Sequence, residues 1–304
     1  MKCFLQGMRR SGTTIVFDIL SQDDRLDMWY EPLSLGRVGA LGGGSGVQPT
    51  DLMTKVREAR AEFLAGGDHD GLSSDDLNFG APTNPKLELK ARLTRPVREY
   101  LEFLLAKCEH SVCKFTRAYR KMKSLRRIRP DARVVVLVRH PRDVVASYMY
   151  GRDRKLRNRY PDRDSFFRHR GSENQWSSRK LVTQIARRDS RPEFLELPNW
   201  ERCLVLWKYT LDHTLEGART HFGDAVHLLR HEDLGAAPRR ETARLYAHLG
   251  LPPSEAALEW AEQNVRPRPS DCYDDDDRWP EAFDRLGLGP SMRNAGYAPD
   301  GGAS

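Results

Sequence analysis

The stretch "GMRRSGTT", running from Gly7 to Thr14, decides the reading of this chain. A glycine, four residues and a second glycine followed by hydroxyl side chains form the skeleton of a phosphate-binding loop. The loop follows a short apolar run, "CFLQGM", and leads into "TTIVFDIL" at helical spacing. A turn of this kind aims backbone N–H groups and the positive end of a helix dipole at one anion. In nucleoside-triphosphatases a lysine after the second glycine reaches the outer phosphates, and the next hydroxyl holds Mg²⁺. Here Thr13 takes the lysine's place, while Arg9 and Arg10 lie inside the loop. Guanidinium groups grip a shorter, doubly charged group with a planar fork of donors. The loop therefore reads as a site for a phosphate-linked group other than a triphosphate.

The rest of the composition fits such a site. The 304 residues carry 50 Lys+Arg against 43 Asp+Glu, a formal charge of +7 that suits an anionic ligand without pointing to nucleic acid. Hydrophobic content of 39% and charged content of 31% suit one globular α/β unit. Cys3, Cys108, Cys113, Cys203 and Cys272 show no CxxC and no Cys/His spacing for zinc, so free thiols in a reducing compartment are expected. No run approaches a membrane span, and the opening "KCFLQGM" lacks the pattern of a signal peptide. A cytoplasmic location is expected, with no metal site. The aspartates from Asp274 to Asp277 lack the alternating spacing of a calcium loop and read as solvated.

Strand and helix patterns alternate along the chain, which predicts a single domain over residues 1–304 with a central parallel sheet flanked by helices. "LDMWY", "SVCKF", "ARVVVLVR" and "AVHLLR" read as further strands. The near-continuous apolar run of "ARVVVLVR" implies burial on both faces. Helices are expected over residues 51–64, in "RPVREYLEFLLAKC", "AYRKMKSLRRI", "PRDVVASYMYG" and "ERCLVLWKYTLDHTLEGART", and in "RRETARLYAHLGL". Glycine-rich or polar segments near 35–50, 66–85 and 151–175 read as mobile loops, and the carboxyl-terminal segment as irregular.

A second motif lies in "VVVLVRHPRDVVAS", where Arg139 leaves the most apolar strand and Ser147 sits on the helix that follows. Carboxyl ends of strands are where α/β sheets bind ligands, so the two side chains can converge on a further phosphate. "RRSGTT" together with "LVRHPRDVVAS" resembles the sulfotransferases that use 3′-phosphoadenosine 5′-phosphosulfate (PAPS), with the P-loop-like fold of that family. The resemblance spans residues 2–150, with weaker support to 234. "LLRHEDL" is similar to a family segment that carries tyrosine where this chain has His231. Arginine at position 10 resembles the carbohydrate and protein-tyrosine branches. The family's basic carboxyl-terminal phosphate loop has no firm match, "SMRNAG" with Arg293 being the nearest.

The resemblance implies that Arg9, Arg10, Ser11, Gly12, Thr13 and Thr14 bind the 5′-phosphosulfate, while Arg139 and Ser147 bind the 3′-phosphate. It also implies PAPS as donor co-substrate, no metal, and a hydroxyl acceptor on a small molecule, sugar or natural product, an amine being the lesser option. Sulfuryl transfer needs a base, positive charge at the leaving oxygen and in-line alignment. Glu31 in "WYEPLS" is the candidate base, facing the phosphate loop if its strand neighbours the first. Arg10 and Lys114, the latter at the end of "SVCKF", are the candidate cations. A degenerate P-loop kinase is the alternative enzyme, but it would want an acid where the strand ends in Arg139. A non-catalytic polyanion binder would use "RKMKSLRR", which reads better as an exposed helix face.

Overall fold

Valine and leucine fill "VVVLV" because this strand is covered on both sides. The computed structural model describes residues 1–34, 49–67, 69, 71–79, 85–150, 160, 162–170, 178–267 and 273–298. Its strands are β1 (Lys2–Gly7), β2 (Leu26–Tyr30), β3 (His110–Phe115), β4 (Arg133–Val138) and β5 (Val226–Arg230). All pair in parallel, in the order β2-β3-β1-β4-β5, so the strand that feeds the glycine loop lies at the centre.

The helices in the first half are α1 (Thr13–Leu20), α2 (Pro49–Ala65), α3 (Pro85–Leu89), α4 (Arg95–Ala106), α5 (Met122–Ile128) and α6 (Pro141–Tyr150). Then come α7 (Arg163–Arg168), α8 (Ser178–Arg188), α9 (Asn199–Phe222), α10 (His231–Ala236) and α11 (Pro238–Leu249). The last are α12 (Glu255–Asn264), α13 (Arg278–Arg285) and α14 (Gly289–Asn294). Side-chain alternation splits the core between the two sheet faces. Phe4, Val134 and Val136 pack with α4, α5, α6 and α9, whereas Cys3, Leu5, Val135 and Leu137 pack with α1, α11 and α12. The molecule is thus one α/β domain with a helix layer on each face.

Several expectations need correction. β2 does not neighbour β1: β3 lies between them, with Tyr30 opposite Lys114 and Leu5 opposite Lys114 on the other side. "AYRKMKSLRRI" becomes helical only at Met122, because the Ala118 amide donates to the Gln6 side chain at 2.9 Å and Lys121 folds back in a turn. Lys121 is buried at 1% exposure and donates to the carbonyls of Leu87, Glu88 and Lys90, so it does not belong to an exposed basic face. Asp276 is buried against Arg278 and Arg163 rather than solvated like its neighbours.

Helices α13 and α14 stand where an irregular tail was expected, since Trp279, Phe283 and Met292 insert into the main core. Within the arginine-rich stretch, α7 starts at an Asp162 cap and buries Phe166 and Phe167. The expected mobile loops at 35–48, 80–84, 151–159 and 171–175 lie outside the described residues. No helix among the described residues is long and apolar enough to cross a membrane.

Candidate active site

The phosphate loop is built by close approach. A Cβ on Gly7 would lie 2.7 Å from the Leu137 carbonyl oxygen and 2.8 Å from Ser11 Oγ. Gly12 caps α1 with φ 97°, a conformation that favours glycine, and a Cβ there would lie 2.3 Å from His231 Cδ2. Ser11 N–H and Oγ both donate to the Met8 carbonyl, at 3.1 and 2.6 Å. Thr13 is buried with its methyl toward Gly7, and Thr14 Oγ1 is 3.4 Å from the Tyr30 hydroxyl. These contacts fix the loop at the start of α1, the end of a helix whose dipole favours an anion.

Arg10 also has positive φ, 72°, and its Nε donates to the carbonyl and Oγ of Ser147 at 3.0 and 2.8 Å. The first motif is thereby joined to the second. Arg139 Nε lies 3.4 Å from Asp143 Oδ2, one turn before Ser147 on α6, so both arginines meet the same helix face. Trp207 on α9 donates its indole N–H to the Arg139 carbonyl at 2.9 Å, which fixes the end of β4. A narrow crevice of about 270 Å³, counted with its open mouth, runs past Gly7, Met8, Ser11 and Arg139 to Trp207 and Thr210. A larger hollow of about 700 Å³ is an open dip beside Asp23, Arg25 and Pro253, away from every motif residue.

Glu31 and Lys114 meet at the ends of β2 and β3. Lys114 Nζ donates to Glu31 Oε1 at 2.8 Å, and the Thr116 amide donates to Oε2 at 3.2 Å. Lys114 is 2% exposed and its ammonium lies 4.1 Å from the centre of the Tyr30 ring. Burial pushes the Glu31 carboxyl up, but Lys114 and Arg117 outweigh it and hold the group below its ordinary value. Burial likewise pulls Lys114 down, and the opposing Glu31 charge carries it above its ordinary value. Arg9 is close enough to Glu31, Tyr148 and Arg117 to feel each of them, with burial the largest influence on its guanidinium.

The fold thus brings Glu31, Lys114 and Arg9 together at one end of the sheet, and Arg10, Ser147 and Arg139 along α6. Arg117 and Tyr148 belong to the first group and were not foreseen, although Arg117 follows the end of β3 by two residues and Tyr148 adjoins Ser147. Glu88 on α3 is a further buried acid, accepting from the Tyr119 hydroxyl at 3.1 Å and lying 3.9 Å from Arg117 Nε. Burial raises its carboxyl above the ordinary value. His140 is turned away from this group, between Phe283 and Tyr297, and burial takes its imidazole down to about 3. Among the described residues no cluster of His, Cys, Asp and Glu is arranged to hold a metal.

A sequence profile of the sulfotransferase family matches residues 3–166, which contain both motifs. The chain belongs to the sulfotransferase family. This sulfotransferase is matched by no curated protein. It is similar in fold to the sulfotransferase domain of the Synechococcus PCC 7002 olefin synthase, with 17% identity, TM-score 0.45, and coverage of 84% of this chain and 76% of that one. Sulfotransferase STF1 from Mycobacterium tuberculosis H37Rv is similar at 15% identity and TM-score 0.48, covering 86% and 70%. A sulfotransferase from Alicyclobacillus acidocaldarius is similar at 14% identity and TM-score 0.43, covering 96% and 93%. Membership of the family makes sulfuryl transfer the general reaction class of this chain and implies a sulfate donor and a small-molecule acceptor.

Proposed function

We propose that this enzyme transfers the sulfuryl group of PAPS to a hydroxyl on a small molecule, sugar or natural product, with an amine as the lesser option. The observation that carries the reading is the ion pair of buried Lys114 with the partly exposed Glu31, beside Arg9 of a phosphate loop that has no Walker lysine. The loop fits the donor. Gly7 and Gly12 let the loop close tightly against Leu137 and His231, and Arg9 and Arg10 supply the charge that a 5′-phosphosulfate needs. Ser11, Thr13 and Thr14 would add donors to that phosphate, and Arg139 with Ser147 would hold the 3′-phosphate. PAPS supplies the activated sulfuryl group, whose bond to the 5′-phosphate oxygen breaks as the acceptor oxygen bonds to sulfur.

Glu31 takes the acceptor's proton; the charges of Lys114 and Arg117 that lower its pKa keep it ionised at the expense of basicity. Lys114 holds the carboxylate in place and, with Arg10, offsets charge on the leaving oxygen. Buried Cys3 and Cys113, which form no disulfide among the described residues, support a reducing, cytoplasmic setting. The test is transfer of labelled sulfate from PAPS across a panel of hydroxyl and amine acceptors, with Glu31→Gln in parallel. Transfer should fall by about 10²–10⁴ in the variant, the range of general-base catalysis, while affinity for adenosine 3′,5′-bisphosphate stays unchanged. Turnover near wild type in the folded variant removes Glu31 from the role of base.

A further inference from the structure

Glu31 sits in the left-handed region, at φ 46°, where a residue with a Cβ is uncommon and strained. Its own amide donates to the Lys114 carbonyl at 2.9 Å, and its carbonyl accepts from Ser34 N–H at 2.8 Å. Those bonds close a tight turn over residues 31–34. They leave the carbonyls of Pro32, Leu33 and Ser34 to other partners; Phe79 N–H donates to that of Leu33 at 3.1 Å.

Arg60, on α2, reaches the other two carbonyls. Its Nη2 donates to the Pro32 carbonyl at 2.6 Å, the Ser34 carbonyl at 2.7 Å and the Leu77 carbonyl at 3.4 Å. Its Nη1 donates to the carbonyl and hydroxyl of Ser74 at 3.4 and 3.3 Å. Arg60 is 4% exposed, and its guanidinium carbon lies 5.8 Å from the centre of the Tyr100 ring. Among the described residues no carboxylate forms an ion pair with it, so backbone carbonyls carry the burden of a buried charge. A group so costly to bury ties two segments together, and its two shortest bonds, to Pro32 and Ser34, fix the turn after Glu31 against the segment at Ser74–Leu77. Leucine or methionine would fill the same space without those bonds.

We propose that Arg60 is a positioning residue for Glu31: it clamps the backbone on both sides of Leu33 and so holds the left-handed turn that sets the Glu31 carboxylate against Lys114. Its catalytic consequence rests on Glu31 being the base, whereas the clamp itself does not. The charged groups around the carboxylate are Lys114 and Arg117 from β3 and its extension, Arg9 from the phosphate loop and Glu88 from α3. None of these touches Arg60. Loosening the turn therefore changes the carboxylate's distance from fixed partners without altering their number.

The readout is the Glu31 carboxyl carbon followed by NMR through a pH titration, assigned by its loss in Glu31→Gln. In Arg60→Lys, which keeps the charge but loses the fork, the Glu31 midpoint should climb toward the ordinary carboxylate range. Arg60→Gln should raise it in the same direction. Affinity for adenosine 3′,5′-bisphosphate, measured by calorimetry, should match wild type because the phosphate loop is untouched. A Glu31 midpoint identical to wild type in folded Arg60→Lys overturns the proposal, whatever happens to the melting temperature. Normal sulfate transfer by Glu31→Gln would instead sink the base assignment and leave the titration to judge the clamp.

Discussion

At the scale of single residues, Glu31 and Lys114 leave adjacent strands as a mostly covered acid and a fully buried base, each costly alone. Their shifts run in opposite directions, and the sign of each sets a pH window. Glu31 is depressed, so its share of stability is present above its unfolded pKa and is lost as pH falls through the folded value. Lys114 is raised, so its share is present below its unfolded pKa and is lost as pH rises through the folded value. Replacing Lys114 with methionine strands a mostly covered carboxylate and should cost about 3–5 kcal/mol at pH 7. Urea unfolding should give a smaller penalty at pH 4, where a protonated Glu31 needs no cation. An equal penalty at both pH values would mean that lost packing, not the ion pair, sets the cost. By the same reasoning Glu31→Gln loses some stability, so its turnover belongs to the folded fraction. Both residues were legible from their strand ends. Their pairing was not, since it depends on β3 rather than β1 lying beside β2.

At the scale of elements, the glycine loop was readable from spacing, but its wall was not. The wall is His231, the first residue of α10, brought from the far end of β5 onto Gly12. A contact between residues so distant in sequence leaves no local pattern. Gly12→Ala should suffer twice, from a Cβ driven into the imidazole and from φ 97°. The left-handed conformation alone costs a residue with a Cβ about 1–2 kcal/mol. Adding His231→Ala should recover the steric part and leave that remainder, as read from denaturant midpoints of the two variants. Full recovery would mean that the loop relaxes out of the left-handed region. Helices α13 and α14 escaped notice for a related reason. Trp279, Phe283 and Met292 are sparse among charged residues and prolines, so periodicity is weak although each side chain is buried.

At the scale of the molecule, the parallel α/β architecture followed from alternating strands and helices, and the doubly covered β4 from its unbroken apolar run. Strand order did not follow, because every strand here is short and apolar enough to sit in several places. The proposed donor site calls for a ligand with two separated monoester charges rather than a metal-bound triphosphate. Adenosine 3′,5′-bisphosphate should bind more tightly than ATP and do so in chelator, as calorimetry can check. At a hundred times its Kd it should stabilise the fold by about 2.7 kcal/mol. Equal, Mg²⁺-dependent binding of ATP would favour phosphoryl chemistry instead. The central place of β1 has a further consequence, for synthesis on the ribosome. Lys2 pairs with Ser111 and Cys3 with Arg133, so β1 is made long before either neighbour exists. At about 5–20 residues per second, the wait for β3 is on the order of ten seconds. Through that interval the nascent chain carries Cys3, Phe4 and Leu5 unpaired, a strand with two open edges that a chaperone can hold.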